Sequence, residues 1–146
     1  MSSKKSPEER IRAYRRIHPG MIDSHFHSEI MGEKHVGLQA SLTLLAEEGA
    51  SWLLDISIRP GSLSKRRELT KRYQKIRYAT GLHPGSVGSG PLQEHLERMK
   101  EELREPDVVA AGEMGLDWIK GGASREEQAE AFAEQIKLAD AYRKPI

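Results

Sequence analysis

The sequence predicts an α/β fold built on a parallel sheet. Short apolar segments alternate with longer segments of helical period along most of its 146 residues. The short segments are apolar nearly throughout rather than alternately polar, as in strands covered on both faces. Each is followed by polar residues, as in parallel sheets whose functional groups gather at the carboxyl ends of the strands.

The elements follow in order. Residues 1–20 read as a polar helical extension. Ser6 can cap it, Pro7 suits its first position and Glu9 completes a capping box. Ile11, Tyr14 and Ile17 form a thin apolar stripe, and "HPG" ends the helix. Residues 21–146 form the second region, opening with "GMID" as a strand. In "LQASLTLLAEEGA", Leu38, Leu42 and Leu45 share a helical face, with Gly49 as the stop. "SWLLDIS" reads as a buried strand, "SLSKRRELTKRYQK" as a helix, and "IRYATGLHP" as a strand running into a loop. "GPLQEHLERMKEEL" starts at Pro91 and carries the stripe Leu92, Leu96, Met99 and Leu103. "DVVAAGEMGLDW" is a strand. "SREEQAEAFAEQIKLADAYR" is a helix with a Ser124–Glu127 capping box and with Phe132, Ile136 and Ala139 facing inward. "KPI" reads as the first residues of a further strand. The pattern is four βα units and the start of a fifth strand.

Composition narrows the function classes. With 37% hydrophobic and 31% charged residues, the chain can build a core. Its apolar runs are too short to span a bilayer, so no membrane role is expected. "MSSKKSPEER" leads into no apolar stretch of a signal peptide, and there is no cysteine for disulfides or thiolate metal sites. A cytoplasmic location is the expectation. A net charge of +1 gives no global attraction to nucleic acid. The cations of "SKRRELTKRYQKIR" read first as a solvated outer helix face and only second as a DNA contact.

The chemistry collects at the strand ends. Asp23, His25 and His27 follow the first strand, Asp55 and Ser57 the second, His83 the third, and Glu113 and Asp117 the fourth. Residues two apart on a strand point the same way, so both imidazoles can reach one ion. Glu113 could add a carboxylate, and such a mixed set suits first-row divalent ions. Each residue also has a plain structural role open to it. His83 before Pro84 can cap a strand end, Glu113 can bond backbone amides, and Asp117 can serve as a turn residue.

Three ordered motifs then carry a resemblance: "IDSHFH", "ATGLHP" and "AAGEMGLDW", followed by the matching segment "QAEAFAEQIKLADAYRKPI". From about Met21 onward the chain resembles the TatD-type metal-dependent DNase family, one of the amidohydrolase-like barrels. The resemblance implies a (β/α)8 TIM-barrel-like metallo-hydrolase fold, here cut to its first four βα units. It implies two divalent ions of the magnesium, manganese or zinc kind and hydrolysis of phosphodiester bonds in DNA. By position, His25 and His27 would bind one metal and Glu113 would bridge the pair. His83 would lie on the substrate side, Asp117 would support its loop or the site, and Asp23 would orient the histidines.

The family draws further ligands from later strands, and a complete barrel of this type needs about 250 residues. The expectation is therefore an incomplete chain of weak or no activity. Its open sheet edges would favour self-association or a complementary C-terminal half. The rival readings are a related barrel acting on amide or ester bonds and a non-catalytic binding fragment.

Overall fold

The computed structural model describes residues 19–35 and 37–146. The helix expected within residues 1–20, with its Ser6–Glu9 capping box, lies outside them except for Pro19 and Gly20, which form a turn. The element order is β1 (Ile22–Phe26), α1 (Ser28–Glu33), α2 (Leu38–Glu47), β2 (Trp52–Ile56), α3 (Leu63–Thr70), β3 (Ile76–Thr80), a 3-10 turn (Pro84–Ser86), α4 (Leu92–Leu103), β4 (Val108–Ala111) and α5 (Arg125–Ala141). The strands form one four-stranded sheet in the order β1-β2-β3-β4. β1 pairs with β2 and β3 with β4, both parallel. Sequential order is the singly wound arrangement of a barrel; a doubly wound sheet reverses its order part-way. The expected α/β class and parallel sheet are therefore observed. The described residues form two compact units: those up to Asp55 with Lys65–Ile76, and Ile56–Ser64 with Arg77–Ile146.

In the first unit, β1 meets β2 with Ile22 opposite Trp52 and Asp23 opposite Leu53, and the register shifts before Phe26 meets Asp55. The irregularity falls on the stretch that carries His25. Leu38, Leu42, Ala50, Leu53, Tyr73 and Ile76 are buried, and the Tyr73 hydroxyl donates to Ala50 O at 3.1 Å. Gly49 ends α2 at φ +77°, a left-handed conformation that suits glycine, as expected of the stop. The short helix α1 was not expected. Its six residues are too few to show a period, and it starts directly after His27.

The basic run keeps the expected solvated face at Lys65, Lys71, Arg72 and Lys75 and departs from it at Arg66. Arg66 is 0% exposed and donates from Nη1 to Asp55 O at 2.9 Å. Lys65 pairs with Glu29 at 3.2 Å and with Glu33 at 2.9 Å. Part of the cationic run is therefore neutralised or buried within its own unit.

In the second unit, α4 packs on β4 and on α5. Leu96, Met99 and Leu103 are buried as their stripe requires, and Leu92 packs against the buried cluster Leu82, Val87 and Ala131. The same face of α4 also buries Glu102. Its Oε1 accepts from Gly61 N at 3.0 Å and from Leu63 N at 2.9 Å, and its Oε2 accepts from the Thr80 hydroxyl. Leu63 opens α3, so this carboxylate caps that helix from a distance.

Three other expectations change. β4 ends at Ala111, and "GEMGLDW" is a loop. "KPI" is not a strand, although Pro145 O accepts from Ala111 N at 2.8 Å. On α5, Ile136 is 40% exposed, and the inward positions are Gln128, Ala131, Gln135 and Ala139. The glutamines face inward because loop backbone there needs partners. Gln135 accepts from Leu82 N at 2.6 Å and donates to Leu82 O at 3.2 Å. Among the described residues no helix is long and apolar enough to cross a membrane.

Glu102→Ala strands two backbone amides and a hydroxyl, and should cost about 2–4 kcal/mol at roughly 1–3 kcal/mol for each unsatisfied buried group, allowing for partial relaxation. Glu102→Gln, which keeps one acceptor, should lose less. Urea denaturation of the two variants checks the order, and equal losses would remove the capping role. His95 is buried on α4, with its Nε2 at 3.4 Å from Ser89 Oγ. Burial holds its imidazole below the ordinary value, helped by Arg98 and Arg59 and opposed by Glu94. Below about pH 6.5 the unfolded chain then takes up more protons than the folded one, so stability falls on acidification. The Tm of His95→Gln should depend less steeply on pH than that of the parent between pH 7 and 5. Parallel Tm profiles would contradict this.

Candidate metal and substrate site

The first group of candidate residues is local to β1. Extended backbone continues through His27 (φ −126°, ψ 96°), so His25 and His27 project to the same side. Their rings meet edge to face, with centroids 4.9 Å apart and planes at 81°. The two Nε2 atoms are 3.2 Å apart. Nitrogens at about 2.0–2.1 Å from one tetrahedral zinc are roughly 3.3–3.4 Å apart, so the pair is spaced for a single ion.

Asp23 acts on this pair through the backbone. Its Oδ1 accepts from His25 N at 3.0 Å, fixing the strand rather than an imidazole. A second brace was not foreseen. Asp55, 0% exposed at the end of β2, accepts from Ser28 N at 3.0 Å and from the Ser28 hydroxyl. It thereby anchors the residue after His27. Burial pushes the Asp55 carboxyl up, and the Ser28 hydrogen bonds pull it back. The sequence signal was a carboxylate at a strand end facing a serine just past the HxH, which had no visible purpose without the pairing of β1 and β2.

A second group of candidate residues lies on the loops after β3 and β4. His83 Nδ1 accepts from Gly85 N at 2.9 Å and caps the 3-10 turn. That bond leaves Nε2 to carry the proton. Nε2 faces Glu113 Oε1 at 3.9 Å, and both side chains are about one-third exposed (34% and 33%). His83 thus has the strand-end capping role open to it from sequence and also presents a proton beside Glu113. Gly81 lets these loops meet. A Cβ there would lie 2.8 Å from Gly112 C, 2.9 Å from Gly112 Cα and 3.1 Å from Glu113 O. All three are backbone atoms, which cannot swing aside.

Asp117 is a turn residue. Its Oδ1 accepts from Ile119 N and Lys120 N, each at 2.9 Å, and these bonds hold its carboxyl below the usual range. Gln128 clamps the same loop, accepting from Asp117 N at 2.8 Å and donating to Asp117 O at 3.1 Å. Sequence reading missed Gln128 and Gln135. Their spacing of seven, on the face of Ala131 and Ala139, was the available signal.

Within the two units the structure therefore brings together His25 with His27, and His83 with Glu113, while Asp23 and Asp117 brace backbone.

Comparison with known proteins identifies the family and the fold. Residues 22–146 match the family model described as TatD related DNase. An uncharacterized metal-dependent hydrolase of Escherichia coli K12, YjjV, is 32% identical over 134 residues, which are 86% of this chain and 48% of that protein. The 3′-5′ ssDNA/RNA exonuclease TatD of Cronobacter turicensis is 36% identical over 76 residues, covering 52% of this chain and 28% of that protein. The crystal structure of E. coli YjjV superposes with a TM-score of 0.66 at 29% identity, covering 86% of this chain and 48% of that one. The chain thus spans about half the length of the relatives it matches over most of its own length. With the family model covering the whole of the described sheet, the chain belongs to the TatD related DNase family.

Proposed function

We propose that this chain carries the first half of a metal-dependent phosphodiesterase site acting on single-stranded nucleic acid. The observation that carries the reading is the pair of imidazole nitrogens 3.2 Å apart at the end of β1, inside a family-matched sheet. His25, His27 and Glu113 would hold a divalent ion, imidazole nitrogens and a carboxylate oxygen being ligands of such ions. Two nitrogens and one carboxylate suit manganese or zinc better than magnesium, which prefers oxygen ligands. An ion bound there supplies a water of lowered pKa and polarises a phosphoryl oxygen.

The chain's own residues have separate tasks. Asp23 and Asp55 hold the backbone on either side of the histidine pair. His83 Nε2 donates a hydrogen bond to an anionic oxygen of the substrate beside Glu113. Relatives named as ssDNA/RNA exonucleases favour a nucleic-acid substrate over amides or esters.

The reading is tested by calorimetric titration of the chain with manganese and zinc, and by metal-dependent cleavage of a labelled single-stranded oligonucleotide. The double variant His25→Ala/His27→Ala should lose at least about 100-fold in metal affinity, since a single supporting group already costs 10–100-fold. Its Tm in EDTA should match the parent. Undiminished affinity would remove the histidines from the site. Gly81→Ala should force the ends of β3 and β4 apart, lowering both Tm and metal affinity. A variant with parental values for both would show that the close approach is dispensable.

A further inference from the structure

The loop between β4 and α5 presents an unusual surface. Leu116, Trp118 and Ile119 are 45%, 47% and 92% exposed. Contiguous exposed apolar side chains mark an interaction site more often than single ones do. This tip is not loose. Arg125, the first residue of α5, places its guanidinium over the Trp118 ring, with Cζ 5.2 Å from the centroid. The backbone beneath is held by Asp117 and Gln128, and Gln128 also donates to Ala123 O at 3.1 Å. Gly121 closes the turn: a Cβ there would lie 2.5 Å from Asp117 O and 2.3 Å from Gln128 Nε2.

Arg125 lies over the indole and Lys120 is two residues along the chain from it, while the Asp117 and Glu127 carboxylates accept from backbone amides, Asp117 as described and Glu127 from Ser124 N at 2.8 Å. A half-exposed aromatic ring with a guanidinium on one face matches the chemistry of an unpaired base and its phosphate. An apolar protein partner would gain nothing from the two cations. Glu113 belongs to the same loop.

The geometry points to Trp118 as a stacking platform for an unpaired nucleobase, with Lys120 and Arg125 meeting the adjoining phosphate. This rests on the nucleic-acid reading above. The test is fluorescence anisotropy of a labelled single-stranded oligonucleotide with the 146-residue chain in EDTA, where binding is read without cleavage. Trp118→Ala should weaken binding roughly tenfold, and Trp118→Phe, which keeps a ring, by no more than about threefold. A strand of the same length made of abasic residues should bind parent and Trp118→Ala alike. Equal binding of the intact strand by parent and Trp118→Ala would overturn the proposal. So would an equal loss on intact and abasic strands, or a sedimentation change showing that Trp118 holds two copies together. No binding of any strand by the parent chain would instead refute the nucleic-acid reading on which the proposal rests.

Discussion

Parallel pairing imposes one requirement from which much of this molecule follows. A strand that runs parallel to its neighbour must be reached by a crossover, so every strand releases the chain at the same end of the sheet. Here the order β1-β2-β3-β4 repeats that step without reversal. Residues that are remote in sequence become residues of successive strand ends. The polar content of those ends is then tolerable, because loops outside a buried sheet can be hydrated or hydrogen-bonded while the strands themselves stay apolar.

The loops are held by a recurring device. A buried acceptor from a neighbouring element takes backbone amides that no ladder or helix can satisfy. Asp55 does this for the start of α1, Glu102 for the start of α3, Gln135 for Leu82 and Gln128 for Asp117. Two of the four are carboxylates at helix starts, where the unsatisfied amides carry partial positive charge. Buried polar groups are costly unless satisfied, so each such brace makes alternative loop conformations expensive. That rigidity matters for a site in which a misplacement of about 1 Å can remove most of the activity.

The two groups of candidate residues differ in how they are built. His25 and His27 need only an extended backbone, because alternation alone puts both rings on one side. His83 and Glu113 come from different loops and face each other across 3.9 Å. They do so because glycine at position 81 allows backbone to approach backbone. Basic residues sort in a similar way. Arg66 is buried in the first unit, whereas Arg125 lies over an exposed indole.

The sequence by itself determined the class of fold, the parallel strands, the α4 stripe, the Ser124–Glu127 box and the HxH pair. All of these are local or periodic, and periodicity survives in one dimension. The position of residues 22–146 in a metal-hydrolase-like family was legible because three motifs occur in order. Tertiary structure decided what periodicity cannot carry. α1 is too short to have a period, and the boundary of β4 depends on where pairing stops. The inward face of α5 is set by loops that require amide partners, which puts Gln128 and Gln135 inside and leaves Ile136 exposed. Arg66 looked like one more surface cation and proved buried, because its guanidinium reaches the carbonyl of Asp55 only once β2 and α3 are in place. A residue's neighbours along the chain set its propensity; its hydrogen-bond partners across space set its role.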